Sequence, residues 1–435
     1  MRNGPSAVDL RVVPRVFFHV PCRLLAACLI AAPFGVAIAA DGGVSGDWGG
    51  RRTAWSERGM DLDIGYTLEA ARNTSGGTRR TSAHAGQLSA AARFDLERAR
   101  GWKGMRAEAS LSLRDGDNLS DRAALGTLLQ SQEVYGRGHI ARLGSLWIGK
   151  RSQNGRIDAK VGRLSVGEDF NTLDCIAMHL AFCGSQPAVF AGDHWFNSPL
   201  SQWGGVAEYR AAPGVYVRAG AYQENPRYAD TRGGGLRLVP SGTVGALTPF
   251  EVGWEPSFSG RDGHYAVGGW YSSAPRADAV QPASGAPVTP ETAMRSGAYG
   301  GWASAQQQLT RGNGSSAAAG LRGQAAFAQG DRRTGTIERM LNVQLVYTGP
   351  TLARSEDRIG LALGTTWVNP RAARSSQMDA GGPRARAEHV VEVFYGWRPM
   401  AGLELQPGVQ YVRHPGGMAS RGDVVVAGLK ADVRF

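Results

Sequence analysis

Lysine is nearly missing from this chain: Lys103, Lys150, Lys160 and Lys430 are the only four among 48 basic residues, and the rest are arginine. Those arginines are scattered with acids between them, and no unbroken basic block exists, which argues against a nucleic-acid binder. Long apolar runs are scarce as well. A membrane helix needs ~20 consecutive apolar residues, and nothing after residue 40 approaches that, so a polytopic helical membrane protein is excluded. Cysteine is limited to four residues. The sequence carries no H-E-x-x-H, no G-x-S-x-G and no P-loop, and its eight histidines are dispersed. Asp115-Gly116-Asp117-Asn118 opens like a calcium loop but lacks the later ligands, so it reads as a turn. These gaps leave no enzyme, metal site or cofactor to expect.

Glycine is abundant, 61 of 435 residues, about twice its usual ~7% share. Spread so evenly, it disfavours helix bundles and coiled coils. An all-β chain remains.

The first 39 residues read as an export signal. Arg2, Arg11, Arg15 and Arg23 precede the apolar run Leu24–Ala40, and Ala37-Ile38-Ala39 is an A-x-A cleavage site. Their removal takes four arginines and Asp9 away, so the formal charge of +11 falls to +8. Cys22 and Cys28 leave with the signal. Cys175 and Cys183 remain as an even pair, which in an oxidising periplasm reads as a disulfide. Residues 40–60 form a short N-terminal periplasmic segment, and 61–435 form the body.

Period-2 alternation dominates that body. In the last strand Val425, Ala427, Leu429, Ala431, Val433 and Phe435 share one face, while Val424, Val426, Gly428, Lys430, Asp432 and Arg434 share the other. Strands are expected near 61–71, 86–98, 104–115, 137–150, 154–166, 202–211, 214–224 and 244–257. The second half continues with 263–274, 296–310, 315–328, 337–348, 357–368, 387–398, 402–412 and 423–434. Short turns fall at Arg100-Gly101, Asn154-Gly155, Pro213-Gly214, Arg261-Asp262-Gly263, Gly312-Asn313-Gly314 and Met400-Ala401-Gly402. Long loops fall between them at 72–85, 116–136, 167–201, 225–243, 275–295 and 369–386.

Sixteen strands, short turns at one end and long loops at the other make the pattern of a transmembrane antiparallel β-barrel. Aromatic residues near strand ends (Tyr66, Trp102, Trp147, Trp254, Tyr265, Tyr271, Tyr347, Trp367, Tyr395, Trp397, Tyr411) fit an interfacial girdle. A soluble sandwich would need an apolar core, whereas one face of nearly every strand here is polar or small. Such a face suits a water-filled lumen.

At the motif level the chain resembles the carbohydrate-selective porins of the OprB type. Ser45-Gly46-Asp47-Trp48-Gly49-Gly50-Arg51, then Trp55, Glu57 and Gly59, is similar to that family's opening segment. Val161-Gly162-Arg163-Leu164 with Glu168-Asp169-Phe170 and Leu180-Ala181-Phe182-Cys183-Gly184 follow in mid-chain. Leu405-Gln406-Pro407, Gln410-Tyr411-Val412 and His414-Pro415-Gly416-Gly417 resemble the penultimate strand and turn. The Ala- and Pro-rich loop 275–295 departs from the pattern. The resemblance implies a passive outer-membrane channel for small sugars, narrowed by a folded-in loop and lumenal arginines. It also implies contact with the bilayer and lipopolysaccharide, recognition of the terminal Phe435 by the insertion machinery, and leaves a homo-oligomer open. A general or anion-preferring pore is the nearest alternative, and a surface sugar-binding or adhesin barrel a more remote one.

Parity puts Arg93, Arg106, Glu108, Glu208, Arg210 and Arg218 on the lumenal face, with Arg93, Arg106 and Arg218 placed mid-strand as the leading sugar contacts. Arg163 lies where the alternation breaks, so its direction stays open. Loop 167–201, which carries Glu168, Asp169, Cys175, Cys183, Asp193, His194 and Trp195, is expected to fold inward as part of the constriction. Trp195 is either a sugar-stacking platform or an anchor to the wall.

Overall fold

A computed structural model describes residues 43–280, 294–312, 319–374 and 384–435. The export signal at 1–39 lies outside the described residues, as do 281–293, 313–318 and 375–383, which belong to loop 275–295, the turn after Gly312 and loop 369–386. Sixteen long strands follow one another: β1 Met60–Ser75, β2 Ser82–Asp95, β3 Met105–Gly116, β4 Ala141–Arg151, β5 Ile157–Leu164, β6 Gln202–Ala212, β7 Val215–Glu224 and β8 Gly245–Trp254. The series continues with β9 Arg261–Ser272, β10 Ala298–Gln308, β11 Gly320–Gln329, β12 Ile337–Thr348, β13 Arg358–Val368, β14 Ala387–Met400, β15 Leu403–Arg413 and β16 Val424–Arg434. Each pairs antiparallel with its chain neighbours, and β1 also pairs with β16, with Gly65 opposite Arg434 and Ala71 opposite Gly428. The sheet is therefore closed, so no edge strand is left with unpaired backbone groups, as lipid demands.

The barrel is inside out relative to a soluble protein. Val161 and Val267 point outward at 60% and 63% exposure, while Glu69 and Gln410 point inward at 0% and 1%. Alternation alone produces this, because successive side chains leave a strand on opposite faces.

Three expectations change. The first loop is not 72–85 but only 76–81, because both strands extend toward it. Asn73 closes it, donating from Nδ2 to the Gly76 and Arg79 carbonyls and accepting from the Thr81 amide at Oδ1. Arg261-Asp262-Gly263 lies within β9, and Arg261 and Asp262 pair with Phe258 and Ser257. The turn is at Ser259-Gly260, both with positive φ (53° and 70°), the conformation that matches hairpin twist. Trp147 is not part of the girdle. It faces inward, with Arg106 and Lys160 lying 5.7 and 5.2 Å from its ring centroid.

At the turn end, residues 43–59 seal the seam between first and last strands. The Val44 amide donates to the Arg434 carbonyl at 2.8 Å. In the helix Arg51–Glu57, the Arg52 guanidinium donates to the carbonyl oxygens of Phe435 and Leu62.

Candidate functional site

Two of the loop-end connections fold into the lumen and cross it. The first, residues 117–140, joins β3 to β4; the second, residues 165–201, joins β5 to β6. An inward loop must satisfy its backbone without secondary structure, and polar side chains of the wall do this. Glu251 of β8 accepts the Asn171 amide at 2.9 Å, and Gln324 of β11 accepts that of Asp174 at 2.9 Å. Glu392 of β14 accepts the amides of Met178 and His179 at 2.7 and 2.9 Å. Asn342, Gln344 and Gln406 donate to the carbonyls of Ala181, Phe182 and Ile176. The first loop is held in the same way, by Glu388 on the Leu128 amide, Gln410 on the Ser131 carbonyl and Glu69 on the Val134 amide.

Where the loops meet, the Glu133 amide donates to the Met178 carbonyl (2.9 Å) and the Leu180 amide to the Gln130 carbonyl (3.0 Å). The Cys175–Cys183 disulfide, with Cα atoms 4.2 Å apart, ties the second loop at this junction. Phe170, Met178, Phe182 and Trp195 of this loop belong to one buried apolar cluster. His179 is fully enclosed, and burial pushes its pKa down to about 3, so it is neutral; its Nδ1 accepts the Ala181 amide at 3.2 Å.

Charged groups border the remaining opening. Arg137 of the first loop pairs with Asp193 of the second, both side chains partly exposed to the lumen. Arg114 Nε donates to Gln87 at 2.6 Å, and its guanidinium lies against Gly136. Lys430 bridges Glu133 at 3.0 Å and Glu69 at 3.4 Å. Arg137 and Asp193 keep solvent-exposed surface, whereas Arg114 and Lys430 are buried behind them.

The residues expected from the sequence divide into separate groups. Asp169 meets Lys160 at 2.8 Å and accepts at its carbonyl oxygen from Arg218, which also pairs with Glu208. Glu168, beside them, keeps solvent-exposed surface inside the barrel, and desolvation by the surrounding protein pushes its pKa up to about 7 against a Ser198 hydrogen bond and the Lys160 charge. Arg210 is engaged by Glu208 and Glu255. Arg93 binds Asp63 at 2.7 Å and Glu108 at 3.4 Å, and Arg106 binds Asp158 at 2.8 Å. Arg93 and Arg106 are not mid-strand: each lies within two residues of a strand end, at the turn end of the barrel and away from the loop junction.

Two residues leave the pathway. Arg163 is 1% exposed and fills a seam in the wall, donating to the Ser201 and Arg237 carbonyls with its guanidinium 4.0 Å from the Tyr228 centroid. Gly162, at φ +146° against the backbone of Trp147, marks where the alternation breaks. Trp195 is buried edge-on against Trp302 at 5.6 Å, so the anchor alternative holds and no face remains for stacking.

Parity reasoning passed over Arg114, which sits on the inward face beside Arg106 and Glu108. Glu133 lay in loop 116–136, where no local signal distinguishes a loop that turns in, and Arg137 was placed at the start of a strand that begins instead at Ala141.

Comparison with known proteins is decisive. The model for "Carbohydrate-selective porin, OprB family" matches residues 79–435. The chain belongs to the OprB family. It is 36% identical over 413 residues to Porin B of Pseudomonas aeruginosa, covering 90% of each chain. It is 31% identical over 416 residues to the putative porin QuiX of Acinetobacter baylyi, covering 90% of this chain and 92% of that one. The high-pH structure of OprB from Pseudomonas putida superposes with a TM-score of 0.86 at 33% identity, covering 92% of this chain and all of that one. The low-pH structure of the same protein gives 0.60 at 25% identity. This OprB-family barrel is accordingly a porin of the Gram-negative outer membrane, and sugars are its substrate class. Short turns of such barrels face the periplasm and long loops the exterior.

Proposed function

We infer that the gap between the two crossing loops is the solute filter, bordered by Glu133, Arg137 and Asp193, with the buried Arg114 behind them. One observation carries this: backbone pairing between residues 130–133 and 178–180 joins the loops inside the lumen. A guanidinium presents five donors in a planar fork and a carboxylate only acceptors, so the rim offers both partners to vicinal hydroxyls. Because the cations are paired with acids, the rim attracts neither sign of ion strongly, and neutral polyols gain most. Binding stays weak, as transport requires. Below the filter, Lys160, Asp169, Glu168, Glu208 and Arg218 form a second charged stretch, and Arg93, Glu108 and Arg106 line the periplasmic exit.

The same reading includes removal of residues 1–39 on export and engagement of the insertion machinery through Phe435. Single-channel recording with sugar titration tests the filter. Saturable block by neutral sugars, weakened in Arg137→Ala, supports it; block unchanged in Arg137→Ala and Arg114→Ala places selection elsewhere. An anion-preferring pore would instead show strong chloride selectivity without sugar block.

A further inference from the structure

The outward face of the barrel is apolar along its middle. On β12 to β15 it ends at the external rim in a run of basic and imidazole groups. Register places them side by side: Arg339 of β12 lies opposite Trp367 of β13, Thr365 of β13 opposite His389 of β14, and His389 opposite Arg413 of β15. The Arg339 guanidinium stacks 4.9 Å from the Trp367 centroid. His389 Nδ1 is 3.0 Å from the Thr365 hydroxyl, and the His414 ring is 6.2 Å from His389. Directly below are the lipid-facing Leu341, Leu363, Val393 and Val409, all at least 40% exposed.

These cations differ from the others of the molecule in what they lack. Arg93, Arg106, Arg137, Arg210 and Arg218 inside the barrel each pair with a carboxylate. At the same rim, in the connection that leads into β12, Arg333, over Tyr299, is held by Asp331 at 2.7 Å. Among the described residues, Arg339 and Arg413 have no carboxylate within ion-pair distance, and Arg339 Nε is buried without any hydrogen-bond partner. The nearby Asp423 is committed to the Tyr411 hydroxyl and the His414 amide. Neighbouring β-strands are about 4.8 Å apart, so β12 to β15 spans roughly 15 Å. That width suits a disaccharide carrying a phosphate at each end.

We propose that this rim is a binding site for a phosphorylated lipid A headgroup of the outer leaflet, with Arg339 and Arg413 each taking a phosphate. Guanidinium and phosphate match as planar, charge-assisted partners, and the attraction is strongest at the interface, where water is partly excluded. Trp367 holds the Arg339 fork in place, and the apolar surface beneath accepts acyl chains. The site is on the outer wall, so it is separable from the sugar path.

The test uses the full-length protein purified in detergent, with bisphosphorylated lipid A, its dephosphorylated form and inorganic phosphate as separate probes. Bound lipid is counted by native mass spectrometry. Wild type should retain bisphosphorylated lipid A at least about tenfold better than Arg339→Gln/Arg413→Gln, the scale of one lost charge-assisted hydrogen bond. It should retain the dephosphorylated form poorly and not bind inorganic phosphate measurably. Sugar block and heat-modifiable gel migration should be unchanged in the double variant, and Arg413→Gln alone, at an exposed position, should show a partial loss. Equal retention by wild type and double variant, or equal retention of the two lipids, overturns the proposal. So does phosphate binding without lipid, and so does a change of oligomeric mass in the double variant, which would make the patch a protein interface.

Discussion

The two halves of the lumenal wall carry similar polar residues and use them for opposite purposes. From β11 through β16 to β1, Gln324, Asn342, Gln344, Glu388, Glu392, Gln406, Gln410 and Glu69 are buried and spend their hydrogen bonds on loop backbone. From β2 to β7, Arg93, Arg106, Glu108, Glu208 and Arg218 pair with acids or bases of the same wall, Lys160 pairs with Asp169 at the root of the second loop, and all keep part of their surface in water. On the reading proposed above, the first half mounts the filter and the second is the channel surface that a solute meets. A polar residue facing the lumen is therefore not by itself a solute contact.

Unmounting the loop should give the largest effect. Glu392→Leu leaves the buried amides of Met178 and His179 without an acceptor, at about 1–3 kcal/mol each. The second loop should then leave its seat for much of the time. Single-channel conductance should rise severalfold and sugar block should largely vanish, with the barrel still heat-modifiable on gels. Conductance at the wild-type level would show that the mount is redundant.

An intermediate effect is expected from the filter rim. Arg137→Ala removes the ion pair to Asp193 and one donor fork, and each lost hydrogen bond is worth about 0.5–1.5 kcal/mol net. The sugar block constant should weaken by up to about tenfold, since 1.4 kcal/mol is a factor of ten. By contrast Arg93→Ala and Arg106→Ala, at the periplasmic end, should change it by less than about twofold. If the order is reversed, the exit rather than the loop junction does the selecting.

Such a difference between halves is beyond sequence parity, and the reason is physical. Alternation reports which face a side chain leaves by, so all sixteen strands were legible, as was the inward direction of Arg93, Arg106, Glu108, Glu208 and Arg218. What stands across the lumen is a contact between residues hundreds of positions apart, such as Met178 with Glu392 or Ser131 with Gln410. The cysteine pair was legible because only one partner existed. Arg163 failed for a local reason: the positive φ of Gly162 interrupts the alternation just before it. The two readings of Trp195 could not be separated in sequence, because a tryptophan in a loop reads the same whether its face is open or packed against Trp302.

The staple should matter less than the mount. Closing a loop of eight residues contributes about 2.5 kcal/mol in the chain-entropy model, and it acts only on the segment between Cys175 and Cys183. Cys175→Ser/Cys183→Ser should add current noise and weaken sugar block modestly, while heat-modifiable migration persists. Thiol titration of the exported wild type should find no free cysteine.

The smallest effect separates the channel surface from the mount by pH. Glu168 stands at the root of the second loop, near Lys160, Asp169 and Glu108, and desolvation there raises its pKa to about 7. A carboxyl with a raised pKa is neutral below that value and charged above it. Falling pH therefore removes one negative charge from the lumen between about pH 8 and pH 6, a range in which ordinary carboxylates do not titrate. Anion permeability relative to cation permeability should rise modestly over that interval, and Glu168→Gln should hold it at the low-pH level throughout. His179, neutral down to about pH 3, adds nothing in this range, so no change in loop seating is expected there. Reversal potentials in a salt gradient read the ratio directly. A shift of equal size in Glu168→Gln would assign the titration to another group, and an accompanying jump in conductance would mean that the mount itself had been disturbed.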